Sequence, residues 1–178
     1  MMVRWVGLKH QVSVKYRTKR LIVRDIKDED IVHLIEMNNN PKVMKYISSS
    51  GFNPTSAEEE KKSIIKQKKY YKKHQGFGLW MIQDVHDTVG WISLKYNSDL
   101  KAYELGYRLK EKEWHKGYAT EACIGLFDYI KKLDVKEVQA VVMPDNNASI
   151  GVMKKIGMTY FKKTSIYNED VIVYKGVL

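Results

Sequence analysis

The chain is poor in the residues that crosslink or punctuate a fold. Among 178 residues there is one cysteine and there are three prolines. The lone thiol, Cys123, cannot close an internal disulfide, which excludes a disulfide-stapled scaffold and agrees with a reducing compartment. Cysteine and histidine nowhere take a zinc-ligand spacing, so no metal is expected. No apolar run approaches the length of a membrane span. The opening "MMVRWVGLKHQVSVKYR" is broken by Arg4, Lys9, Lys15 and Arg17, so it lacks the apolar centre of a signal peptide. The expected location is the cytoplasm. The chain also lacks G-x-x-x-x-G-K-[ST], which excludes a P-loop nucleotidase, and G-x-G-x-x-G, which excludes the dinucleotide fingerprint. No serine sits in a nucleophile elbow. There are no repeats and no low-complexity linker.

What is present fits one globular domain, with hydrophobic content of 44% and aromatic content of 11%. We expect a single domain over residues 18–178, preceded by a tail or an extra strand over residues 1–17. The formal charge of +10 favours anionic partners. Much of it lies in the lysine-rich "EEEKKSIIKQKKYYKK" (Glu58 to Lys73). That stretch reads as a solvated helix face with Glu-to-Lys pairs rather than a nucleic-acid patch, because no RNA-binding motif accompanies it.

Periodicity predicts the order β-α-α-α-β-β-β-α-β-α-β-β. "KRLIVRDI" (Lys19 to Ile26) is β-rich. "DEDIVHLIEMNN" carries the helical stripe Ile31, Leu34, Ile35, with Asp28 as its cap. A short helix follows Pro41. A longer one begins after Ser56 or Thr55, with Glu59 in capping-box range of Ser56. Three strand segments follow, "GLWMIQD", "TVGWISLKYN" and "AYELGYRLK". In the third, Tyr103, Leu105, Tyr107 and Leu109 share one face, and Glu104, Gly106 and Arg108 the other. Ala119, Ala122, Cys123, Leu126 and Ile130 form an amphipathic stripe, with Cys123 in the core. "KEVQAVVM" reads as a buried strand. "DNNASIGVMKKIG" reads as a short helix, started near Asn146 or Asn147 and stopped by Gly157. A terminal hairpin closes the chain. His33, His74 and His86 have no constellation around them in sequence.

The most informative stretch is "ELGYRLKEKEWHKGYATEA", Glu104 to Ala122. A strand feeds a helix through a break holding one glycine, Gly117. A helix N-terminus presents backbone N–H groups without partners, and with the dipole they attract anions. Gly117 lets a phosphate approach the backbone, and His115 and Lys116 add donors. Tight turning alone would also use one glycine, so the loop by itself leaves both readings open.

The same residues carry a resemblance. "ELGYRLKEKEWHKGYATEA" resembles the signature of the GCN5-related N-acetyltransferases (the GNAT superfamily), and most of all the RimJ/RimL-like subgroup. Trp114–His115–Lys116–Gly117–Tyr118–Ala119 matches its [RQ]-x-x-G-x-[GA] loop, with two departures. Trp114 stands where Gln or Arg is commonest, and His115 where Gly is frequent. "NNASIGVMKKIGM" is similar to the subgroup's second block, with Met158 in place of Phe. "TKRLIVRDIKDEDIVHLIEMNNNPKVMKYI" is similar to its opening. The resemblance spans about residues 18–175.

This resemblance implies an α/β (α+β) fold with a mixed, mostly antiparallel central sheet. The sheet would be splayed between its fourth and fifth strands, with helices on both faces. It implies an acetyl-CoA-dependent N-acetyltransferase working by direct attack in a ternary complex. Tyr107, Arg108 and Leu109 would offer backbone to the pantetheine arm. His115, Lys116, Gly117, Tyr118, Ala119 and Thr120 would take the pyrophosphate, and Asn146 would lie near the thioester. Ser149 would stabilise the leaving thiolate, and Glu104 would relay a proton from the amine through water. Lys155 is a phosphate contact or a solvated charge. The expected acceptor is a protein N-terminal α-amine, an acidic N-terminus suiting the basic chain. The alternatives are a polyamine or antibiotic amine, or a CoA-binding module without turnover. No membrane or nucleic-acid partner is expected, and the chain would act as a monomer or homodimer. The loops over residues 38–56 and 165–170 would choose the acceptor.

Overall fold

A computed structural model describes residues 13–47, 53–166 and 168–177. The tail expected over residues 1–17 thus falls largely outside the described residues. Its last part, β1 (Val14–Arg17), pairs antiparallel with β2 (Ile22–Asp25) across a tight turn. Then come α1 (Ile31–Asn38), α2 (Pro41–Met44) and α3 (Ala57–Lys73). β3 (Gly78–Gln83), β4 (Thr88–Asn97) and β5 (Ala102–Leu109) form the meander. α4 (Tyr118–Ile130), β6 (Glu137–Val142), α5 (Asn147–Lys155), β7 (Thr159–Ile166) and β8 (Glu169–Val177) complete the chain.

Local chemistry explains most boundaries. Ser56 caps α3 in a reciprocal box, its hydroxyl taking the Glu59 amide while Glu59 takes the Ser56 amide at 2.7 Å. Asn40 caps α2, with Pro41 at its first turn. Asn146 caps α5 through the Ser149 amide at 3.1 Å. Gly157, at φ 82°, ends α5 in the left-handed region. Asp28 is not the cap expected for α1. A 3-10 turn over Asp28–Asp30 precedes the helix, the Asp30 carboxylate accepts from the Lys27 amide, and Asp28 pairs with Lys68 instead.

The eight strands form one sheet in the order β1-β2-β3-β4-β5-β6-β8-β7. All pairings are antiparallel except β5 with β6. The helix α4 covers one face, burying Ala122, Cys123, Leu126 and Ile130 against Trp80, Ile92, Leu94 and Leu105. Each larger side chain contributes about 1.5–3 kcal/mol on full burial, so the position of α4 is firmly set. The other face is covered by α1–α3, where Leu34, Met37, Val43 and Ile64 pack on Ile26, Met81 and Trp91.

The parallel pair decides the architecture. β5 and β6 are joined only at Tyr103–Val138 and Glu104–Gln139. Beyond them the strands part, and the sheet is splayed between the two strands expected, which β1 renumbers as β5 and β6. The other edge of β5 stays paired to β4 as far as Leu109–Gly90.

Candidate functional site

Both parted strands run from the closed end of the gap to its open end. Their continuations place the N-termini of α4 and α5 beyond the open end, a usual place for a ligand in sheets of this kind. At α4, Gly117 has φ 80°, in the left-handed region where a side chain is strained. His115 also sits there, at φ 61°. That accounts for the position at which relatives of the motif often carry glycine. The amides of Tyr118, Ala119 and Thr120 open the helix and have no intrahelical acceptor.

The side chains around these amides are largely engaged. Lys116 pairs with Glu113 at 2.9 Å. Tyr118 donates its hydroxyl to Asp84 at 3.0 Å. The Trp114 ring packs inward between the two cores, and its Nε1–H donates to the Leu109 carbonyl at 3.2 Å. Trp114 therefore braces the loop from below. Arg20 is the cation that sequence reasoning missed. Its guanidinium lies over the Tyr118 ring, 4.7 Å from the centroid, and pairs with Glu121 at 2.6 Å. A methyl group built on Gly117 would meet Arg20 at 3.4 Å. No local pattern links Arg20 to Gly117, which is distant in sequence. A groove of about 750 Å³ runs from Gly117 and Thr120 along α4, with Tyr16, Lys132 and Lys155 in its walls.

Two chemistries face each other across β5. On the α4–α5 side, the Tyr107 hydroxyl lies 3.0 Å from the Ser149 hydroxyl. Burial pushes the Tyr107 phenol well above its ordinary range, so it stays protonated. Asn146 holds the Ser149 amide. On the α1–α3 side, Glu104 sits at the last paired position, its carboxylate accepting from the Asn97 amide group at 2.7 Å. Arg108 does not turn back to Glu104. Its guanidinium donates to the Asn38 carbonyl and lies 5.1 Å above the Trp91 ring. Asn38 in turn donates to the buried Glu60. Burial pulls the Arg108 pKa down to about 10, against the pull of Glu60, so it remains charged at neutral pH.

His33 has partners that its sequence neighbours do not reveal. Lys110, only 2% exposed, reaches His33 Nδ1 at 2.9 Å, Glu36 at 2.9 Å and Asp87 at 3.1 Å. Burial and then the Lys110 charge lower the His33 pKa. Cys123 lies in the core, its thiol pushed up by burial.

The parted strands suit a slender ligand that pairs with strand backbone while its charged end meets α4. Buried polar atoms without partners among the described residues include Arg108 Nε on β5 and Gln139 Oε1 on β6. Both lie on the strands that part. No cluster of ligating side chains fit for a metal occurs among the described residues. No described helix is long and apolar enough to cross a membrane.

A sheet opened between parallel strands, with a glycine-started helix at its mouth, defines an acyltransferase architecture. The chain belongs to the GNAT acetyltransferase family: it matches the Acetyltransferase (GNAT) domain over residues 20–159. It is 31% identical over 150 residues to the uncharacterized N-acetyltransferase YnaD of Bacillus subtilis, covering 82% of this chain and 85% of that protein. A GNAT acetyltransferase from Bacillus anthracis superposes with a TM-score of 0.72 at 27% identity, covering 91% of this chain and 97% of the other. RimL, a ribosomal L7/L12 alpha-N-protein acetyltransferase solved with coenzyme A, shares the fold at a TM-score of 0.79 and 18% identity. It covers 93% of this chain and 98% of its own. The chain is an enzyme, an acyltransferase.

Proposed function

We propose that residues 18–178 transfer an acetyl group from acetyl-CoA to a protein N-terminal α-amine, by direct attack in a ternary complex in the cytoplasm. The observation that carries this reading is the parting of β5 from β6 between two distinct groups. Glu104 stands at the closed end on one face, and Ser149 stands on the other.

Acetyl-CoA supplies the activated acetyl group as a thioester. The amides of residues 118–120, with Gly117 allowing close approach, receive its pyrophosphate. His115 and Lys116 flank that end, and Tyr107, Arg108 and Leu109 offer β5 backbone to the pantetheine arm. A β5 amide polarises the thioester carbonyl. An α-amine has a pKa of about 8, so an appreciable fraction is neutral at pH 7 and a weak base suffices. Glu104 accepts the proton through water. Asn146 fixes the Ser149 amide, leaving the Ser149 hydroxyl to hydrogen-bond the departing sulfur. The +10 charge suits an acidic N-terminus, and the fold shared with RimL supports a protein acceptor of the ribosomal type.

The test is thiol release from acetyl-CoA across N-terminal peptides, polyamines and aminoglycosides, with acetyl-CoA binding followed by calorimetry. Turnover on peptides is expected. Turnover confined to polyamines or aminoglycosides would replace the acceptor class. Binding without turnover would leave a CoA-binding module, and no binding would overturn the reading.

A further inference from the structure

The Tyr107 phenol has no place in the roles given so far, which use only its backbone. Its hydroxyl meets the Ser149 hydroxyl at 3.0 Å, from a side chain packed against the core. Among the described residues it has no other hydrogen-bond partner. The direction of the bond follows from cost. The contact is part-buried, and an O–H left there without an acceptor costs up to about 1–3 kcal/mol. Ser149 is the acceptor at hand, so Tyr107 donates and the Ser149 oxygen accepts. The Ser149 hydrogen is then free to point elsewhere. Ser149 is partly exposed, and it stands in the first turn of α5, at the open side of the gap.

We propose that Tyr107 is a positioning residue for acetyl transfer: its phenol donates to Ser149 and thereby turns the Ser149 hydroxyl outward, as a polarised donor to the sulfur of CoA. This rests on the acetyl-transfer reading above. In the transfer the amine nitrogen forms a bond to the acetyl carbon, and the carbon–sulfur bond breaks. The electron pair stays on sulfur, and the amine proton leaves through water to Glu104. Tyr107 and Ser149 keep their protons and lower the cost of the charge that appears on sulfur. A chain of two hydroxyls polarises more strongly than one. It also compensates for the weak acidity of a serine hydroxyl.

The thiol of bound CoA tests this without any acceptor amine. Its thiolate absorbance is followed from pH 5 to 9.5, against the complex with desulfo-CoA to remove the protein tyrosines. In the wild-type complex the thiol should titrate below its free value. Ser149→Ala should raise it by about one unit, and Tyr107→Phe by about half a unit. In Ser149→Ala, adding Tyr107→Phe should change nothing further. Calorimetric CoA affinity should stay within about twofold in both variants, and kcat should fall about fivefold in Tyr107→Phe with KM unchanged. A bound thiol that titrates identically in wild type and Tyr107→Phe overturns the proposal, as does a Tyr107 effect that persists in full without Ser149. Failure of every acceptor would defeat the transferase reading, while the thiol titration would still decide the Tyr107–Ser149 contact by itself. Failure to bind CoA would overturn both.

Discussion

The two faces of β5 present different chemistry on alternate residues of one strand. Toward α4 and α5 it presents Tyr103, Leu105, Tyr107 and Leu109, a largely apolar row from which the Tyr107 hydroxyl meets Ser149. Toward α1–α3 it presents Glu104 and Arg108, tied into networks with Asn97, Asn38 and Glu60. The first face leads to the helix ends suited to a phosphorylated donor. The second carries Glu104, the base proposed above, and charges that would suit an acceptor. A strand of period two can serve both because the gap beside it opens its backbone edge to either side.

The sharpest way to break this division is at the donor end. Gly117→Asp places a side chain at φ 80° and a negative charge where a phosphate should lie. We expect acetyl-CoA affinity to fall about a hundredfold or more, measured by calorimetry, with a fall of only a few degrees in melting temperature from the strained backbone. Normal binding would move the phosphate site elsewhere.

On the acceptor face, Glu104→Gln should lower kcat about a hundredfold while leaving acetyl-CoA affinity intact. An unchanged kcat, read by steady-state kinetics, would reduce Glu104 to a sheet residue held by Asn97.

Arg108→Gln should cost stability rather than donor binding. It removes a buried cation from Asn38 and Trp91 and leaves Glu60 without its long-range counter-charge. A loss of about 2–3 kcal/mol in urea unfolding is expected. A loss under about 0.5 kcal/mol would show the network to be incidental.

The smallest effect concerns pH. In the folded chain the His33 pKa is lowered from 6.5, by burial first and Lys110 second. The unfolded state therefore takes up the proton first. Stability from this site is full above about 6.5 and is lost as pH falls through the lower folded value. Thermal melts from pH 5 to 7.5 should slope less in His33→Gln than in the wild type. Equal slopes would discharge His33 from this role.

Much of this was legible in the chain itself. The alternation in Tyr103–Leu109 gave the faces of β5, the stripe from Ala119 to Ile130 gave α4, and Ser56 with Glu59 gave the start of α3, because each is a pattern within one element. The expected cap at Asp28 failed for a related reason. Asp28 and Asp30 compete for the same turn, and Lys68 on α3 engages Asp28 while Arg24 and the Lys27 amide engage Asp30. The setting of His33 was invisible, since Lys110 and Asp87 come from other elements.

By itself the sequence determined the order of elements from β2 onward, the glycine at the junction before α4, a start of α5 near Asn146 or Asn147 and the family to which the chain belongs. These depend on backbone preferences and on spacing within a few residues. Only the tertiary structure decided that Arg20 stands over Tyr118 and beside Gly117, that Trp114 braces the loop from beneath, and that Tyr107 meets Ser149. Those contacts join residues far apart in the chain. They exist because the packing of α4 and α5 on a parted sheet brings them within hydrogen-bonding or van der Waals reach.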